Sequence, residues 1–273
     1  MRVDLLCVEG VHDVAFVQRL LRAFGFEQKE RLRDIPDVIG KLVPRAFPTN
    51  KEGNIHRRVD VPAFHHRSGQ WVILHGAGSD SQLVDAISYS VTQLHLTGIR
   101  PAAIGMILDG DDAPSLQFAR RQREWERKKS EDADSVLKAI SFPQSPGEIV
   151  GAPSRFGVFV MPDNGSTGKL ESVLLKQGKA VYPALHGKAV AFIDDVRKTP
   201  AAIPAGAELK SDGRNEGKAI LHAMTSVLKP GRTLQASISD HAWVPSSPAD
   251  FPVHIQPISD FLKQLLELEP LPV

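Results

Sequence analysis

The chain has 273 residues, 42% apolar and 24% charged, with 33 Lys and Arg against 32 Asp and Glu and a net charge of +1. That length suits one large domain or two small ones with a core big enough to fold without staples, and the near-neutral balance makes any nucleic-acid surface a local patch. The single cysteine, Cys7, excludes an internal disulfide and a cysteine-based zinc site; no run approaches the roughly 18 apolar residues of a membrane span, so a cytoplasmic chain without membrane contact is expected.

In chain order, "RVDLLCVEG" reads as a strand entering a turn. "VHDVAFVQRLLRAFGF" follows as a helix, with Val14, Val17, Leu20, Leu21 and Phe24 at helical spacing and Gly25 as its C-terminal stop. Residues 27–70 are polar, Pro-containing and weakly periodic, the pattern of an insertion. "WVILHGAGS" is a strand running into a glycine turn, and "DSQLVDAISYSVTQLHLTG" an amphipathic helix stopping at Gly98. "AAIGMILDGDD" is a third strand, followed by a long polar helix from about Ser115 to Ile140. "RFGVFVMPDNGSTG" is a fourth strand and loop, "KLESVLLKQ" opens a further helix, and residues 198–215 read as a loop. The tail, about 255–273, contains a short amphipathic helix that packs back on the domain. Strands alternating with helices predict an α/β fold: a mainly parallel sheet of about four core strands with helices on both faces, plus a polar insertion, in one domain.

Ligands of open parallel sheets bind beyond the carboxyl ends of the strands, and three predicted strands end there in acids. The first delivers Glu9, the third Asp109 and Asp111, and the fourth Asp163. Asp13 lies four residues after Glu9 and can face the same opening, although a first-turn acid also complements the helix dipole. Asp163 equally suits a turn in "PDNG", and Glu171 a solvated helix face. Gly76 and Gly78 end the second strand and would let backbone approach a phosphate. Hard oxygen donors converging from separate strands suit Mg²⁺ or Mn²⁺.

"CVEGVHDVAFVQRLL" followed by "ILDGDD" resembles the TOPRIM fold shared by topoisomerases, primases, small RNA-maturing nucleases and OLD-family nucleases. Its glutamate after the first strand and Asp-x-Asp after the third match Glu9, Asp109 and Asp111. "MPDNGSTGKLES" and "EGKAILHAMTSVLKPG" are similar to the corresponding stretches of a TOPRIM-related, OLD-nuclease-like family. The resemblance covers most of the chain except roughly residues 27–70 and the acidic end. It implies metal-assisted phosphoryl transfer, with Glu9, Asp13, Asp109, Asp111, Asp163 and Glu171 as metal ligands, Glu9 also catalytic, and Lys218 stabilising charge. Lys218 equally suits an ordinary exposed helix lysine.

The departures narrow the resemblance. Only Tyr89 and Tyr182 could serve as a topoisomerase nucleophile, neither in a recognisable context, and primase modules are absent. No "GxxxxGK[ST]" occurs, so an ATPase or targeting function would come from a protein partner. Lys41 to Arg67 is a basic stretch in which Arg45, Lys51, Arg57, Arg58 and Arg67 could track a phosphate backbone, or simply keep a loop soluble. The basic run around Trp125 reads as a solvated helix face with the tryptophan as packing anchor. The expectation is a divalent-metal-dependent nuclease acting on DNA or RNA, with a homo-oligomer allowed. The alternatives are a non-catalytic TOPRIM-like module that binds nucleic acid, nucleotide or a partner protein, and a hydrolase of small phosphorylated molecules.

Overall fold

The first strand, β1 (Arg2–Val8), shows how the chain divides its apolar residues between two layers. Side chains alternate across a strand: Val3, Leu5 and Cys7 join one buried cluster while Leu6 and Val8 join the other. The computed structural model describes residues 1–44, 61–131, 135–151, 154–199, 201, 203–204, 206–210 and 215–269. α1 (Val11–Ala23) buries Phe16, Val17, Leu20 and Leu21 and stops where expected. Gly25, at φ 86°, donates to the Arg22 carbonyl while Phe26 donates to that of Leu21, the paired bonds of a Schellman ending.

Seven strands form one sheet in the order β2 (Glu27–Lys29), β3 (Ala63–Arg67), β4 (Gln70–Gly76), β1, β5 (Ala103–Asp109), β7 (Arg155–Met161), β6 (Ile149–Val150). β4, β1, β5 and β7 run parallel, flanked through antiparallel pairing by β3 and then β2 on one side and by β6 on the other. Thus the ends of the expected insertion belong to the sheet. The short strands 27–29 and 63–67 carry too few apolar residues to announce themselves, although Phe64 and His65 are buried. The middle, 45–60, lies outside the described residues.

Helices cover both faces. α2 (Asp37–Gly40), α3 (Leu83–Leu96) and α4 (Pro114–Glu131) contribute to one cluster, with Trp125 of α4 stacked on Phe156 at 4.6 Å between ring centroids. α4 ends sooner than the long helix expected: a separate 3₁₀ turn occupies Val136–Ala139. α1, α5 (Leu170–Val181), α6 (Pro183–Lys198), α7 (Glu216–Leu228), α8 (Leu234–Asp240) and α9 (Gln256–Leu266) share the other cluster. α9 is the expected C-terminal helix, burying Phe261, Leu262 and Leu265. No helix among the described residues is long and apolar enough to cross a membrane. The chain passes from β1 to β4 on one side and returns to β5 on the other, so strand order reverses between β1 and β5. Their carboxyl ends are therefore where a crevice opens.

Candidate active site

Glu9 and Asp109 meet at that reversal. The Asp109 backbone N–H donates to Glu9 Oε1 at 2.9 Å. Asp109 Oδ1 accepts from the Leu170 N–H at the start of α5, also at 2.9 Å. Asp13 Oδ2 accepts from the Gly10 N–H at 2.9 Å, which fixes the first turn of α1. The backbone thus orients three carboxylates from three elements. They line a cavity of about 320 Å³ together with His12, Gly78, Ser79, Glu171 and Lys218. Four carboxylates face one ammonium there, and Lys218 Nζ lies 3.7 Å from Glu171 Oε1.

The electrostatic consequence is large. Burial, then the neighbouring Glu9 and Glu171, push the Asp13 carboxyl far above its usual range, against the Gly10 hydrogen bond. Burial, followed by Asp13 and Glu9, does the same to Asp109. Glu9 is raised by burial and by Asp80 and Asp111, with the Asp109 amide pulling it back. Proximity of like charges in a partly dry site favours one of two outcomes: the groups hold protons, or a cation joins them.

The donor set suits a hard divalent cation: all oxygen, from separate elements, around a space that admits waters. Among the described residues, however, no three His, Cys, Asp or Glu side chains converge closely enough to hold one ion as they stand. Each of Glu9, Asp13 and Asp109 is anchored by a backbone amide, so ligation calls for side-chain rotation about those anchors. Glu9, Asp13, Asp109 and Glu171 are the residues that would hold the ion.

Other expected site residues fall elsewhere. Asp111 does not share this cavity. Gly110 is pressed so close to the Met161 carbonyl that a Cβ would sit 2.5 Å from it, and the chain then turns left-handed at Asp111, φ 48°. This breaks the strand's alternation and swings Asp111 onto Lys169 and the Gln117 amide, the latter at 2.8 Å. Asp111 lines an adjoining cavity of about 590 Å³ that shares Glu171 and Lys218 with the first. Asp163 is a turn former: its Oδ1 accepts from the Gly165 and Ser166 amides at 3.1 and 2.6 Å, and its Oδ2 from the Ser166 hydroxyl. Slight burial acts the other way, yet those bonds hold the Asp163 carboxyl below the usual range. Gly76 ends β4 beneath Val14 rather than lining the cavity; Gly78 does line it.

Arg67 lies at the opposite end of the sheet, paired in register with Gln70. Its Nη1 donates to the Phe24 carbonyl at 2.8 Å and its guanidinium rests over the Phe26 ring, so its role is structural. Arg45, Lys51, Arg57 and Arg58 lie outside the described residues. The cations of α4 are largely paired with acids, as Lys128 is with Asp85 at 2.7 Å. Sequence reasoning missed Ser79 and Lys169; the latter was legible only as the residue preceding "LE".

The sequence matches, over residues 3–267, the model of a family described as "Protein of unknown function (DUF3226)", and the chain belongs to that family. No curated protein matches. The fold is similar to the crystal structure of hypothetical protein PH0156 from Pyrococcus horikoshii OT3, at a TM-score of 0.55 and 17% identity, covering 98% of each chain. At that identity the likeness speaks for the fold alone.

Proposed function

We propose that this DUF3226 protein is a divalent-metal-dependent phosphodiesterase acting on nucleic acid, with its parallel block β4-β1-β5-β7 serving as a TOPRIM-like core. The observation that carries the reading is the shared cavity: carboxylates from the turn after β1 and from α1, β5 and α5, mutually repelling and partly dry, with one lysine in the wall. A fold gains nothing from such repulsion, whereas a cation site requires it. Bound Mg²⁺ or Mn²⁺ would supply Lewis-acid polarisation of a phosphoryl oxygen and a water of lowered pKa.

The residues of the chain have separable tasks. Glu9, fixed through Oε1, keeps Oε2 to take a proton from an attacking water. Lys218 can offset charge gathering on the phosphate oxygens. Gly78 and Ser79 line the cavity, and Gly78 turns there at φ 85°, a conformation that glycine adopts without strain. Nucleic acid is the proposed partner. A further protein supplying an ATPase is compatible, as is a homo-oligomer.

The test is incubation of the full chain with labelled single- and double-stranded DNA and with RNA, in Mn²⁺, Mg²⁺ or EDTA. Cleavage is expected only with metal and is lost in Glu9→Gln. Metal-independent cleavage, or cleavage insensitive to Glu9→Gln, overturns the assignment. The lack of three converged donors favours a second reading, a non-catalytic module that binds nucleic acid, nucleotide or a partner protein. It predicts salt-sensitive binding without turnover and without saturable Mn²⁺ uptake.

A further inference from the structure

Helix α4 reaches back toward the carboxylate rim at two places one turn apart. Gln117 holds Asp111. Four residues later Arg121, only 1% exposed, donates from Nη1 to the backbone carbonyl of Asp80 at 2.6 Å and to Glu124, and its Nη2 lies 3.6 Å from the Asp80 carboxylate. Arg120 forms a second ion pair with Asp80. Nη2 of Arg121 finds no hydrogen-bond partner among the described residues. A guanidinium is among the costliest groups to bury, and packing alone would be served by leucine or methionine. What Arg121 grips is therefore informative.

It grips the turn after β4. Asp80 directly follows Gly78 and Ser79, which line the carboxylate cavity. At the other end of that turn the Ala77 N–H donates to the Val8 carbonyl at 2.8 Å, next to Glu9. The turn is thus tied to β1 on one side and to α4 on the other. The α4 side is firm, because Trp125 stacks on Phe156 and Phe118 packs on Phe142, with 5.5 Å between the latter ring centroids. The Arg121 charge is also felt at Glu9.

We infer that Arg121 is a positioning residue: through Asp80 it holds the Gly78–Ser79 turn in the wall of the cavity, and its charge tempers the acidic cluster from behind. The holding stands on geometry alone, while its effect on turnover rests on the phosphodiesterase reading above. Charge and grip make opposite demands on variants. Arg121→Gln removes both, Arg121→Lys keeps the charge without the two-pronged fork, and Asp80→Asn weakens the link at a half-exposed residue.

The deciding experiment combines hydrogen exchange with Mn²⁺ calorimetry on the full chain. In Arg121→Gln, exchange of the Ala77 and Gln82 amides, which bond to Val8 and Ser79, is expected to quicken on the order of tenfold. Mn²⁺ binding should tighten about threefold, as loss of one partly screened cation implies, while kcat falls on the order of tenfold to a hundredfold through misplacement. A merely structural role would weaken binding and turnover together. Arg121→Lys should keep wild-type Mn²⁺ affinity and still exchange fast; slow exchange there overturns the need for the fork. If Arg121→Gln does not fold, Arg121→Lys is read instead, and unchanged exchange in whichever of the two folds overturns the proposal; Asp80→Asn, which keeps the carbonyl bond, should quicken exchange less than either. Should the wild type neither bind Mn²⁺ nor cleave, the phosphodiesterase reading falls, and the exchange rates still decide the clamp.

Discussion

The two ends of the parallel strands bury carboxylates in opposite company. At the amino end Asp4 is fully buried, but it accepts from Gln70 at 2.6 Å and pairs with Arg2 at 3.1 Å. The network continues as Arg2 and Arg155 converge on Glu267, which anchors the end of α9. Burial raises the Asp4 carboxyl, and every neighbour pulls it back. At the carboxyl end Asp13 and Asp109 are half-buried, and there the charged neighbours push the same way as burial. One rim is a finished ion network and the other is short of positive charge. The difference separates a region that holds the fold from one that the proposed function assigns to a cation.

The largest effect should come from Asp109→Asn, which keeps the acceptor for the Leu170 amide and deletes the charge. Metal-dependent cleavage is expected to fall on the order of 10³-fold, while stability in urea rises by about 1 kcal/mol, as relief of functional strain does. A loss of stability would show that this rim is as well compensated as the other. Next, Asp4→Ala should destabilise by about 3 kcal/mol, because it strands buried donors of Arg2 and Gln70, with cleavage per folded molecule unchanged. A urea transition near wild type would erase the contrast from the amino side.

The contrast was partly legible in the sequence. Glu9 and Asp109 follow apolar strands that pair directly, Val8 beside Ile107, so strand order alone brings them together. Asp13 and Glu171 needed only a helix start at the right residue. Asp111 was not legible: period-two alternation puts it beside Asp109, and only the squeeze of Gly110 against Met161 turns it away. The antiparallel edge was hidden because short edge strands need few apolar residues. Arg121 and Asp80 carried no signal at all, since a charged helix face and a buried guanidinium look identical in sequence.

The pH dependence sharpens the comparison, with a sign fixed by proton counting. Raised folded-state carboxyls mean that the native chain keeps protons that the unfolded chain releases above about pH 4, so the metal-free protein loses stability as pH rises, by up to roughly 1.4 kcal/mol per pH unit for each retained proton. His65 opposes this at lower pH. Burial pushes its imidazole down to about 4, so its contribution is complete above about pH 6.5 and is lost as pH falls from there toward 4. Thermal melts between about pH 6.5 and about 8, below the titration of an unfolded cysteine thiol, therefore isolate the acidic rim. A downward slope is expected there, flatter in Asp109→Asn and reversed by saturating Mn²⁺, which binds only deprotonated carboxylates. A flat wild-type profile contradicts the charge deficit.

The smallest effect concerns an acid at the same end of the sheet that is compensated by its own turn. Asp163→Ala removes the acceptor for the Gly165 and Ser166 amides and should cost about 1 kcal/mol, since both donors remain exposed to water. Because Asp163 lies outside the cavity that Glu9, Asp13, Asp109 and Glu171 line, Mn²⁺ affinity and cleavage should match wild type. A tenfold loss of either would return Asp163 to the metal site and extend the deficit of positive charge beyond that cavity. Unchanged values would mean that position along the strand ends does not select the functional acids. On the proposed function, what selects them is whether the nearest N–H groups leave a carboxylate repelled by its neighbours or fully occupied at home.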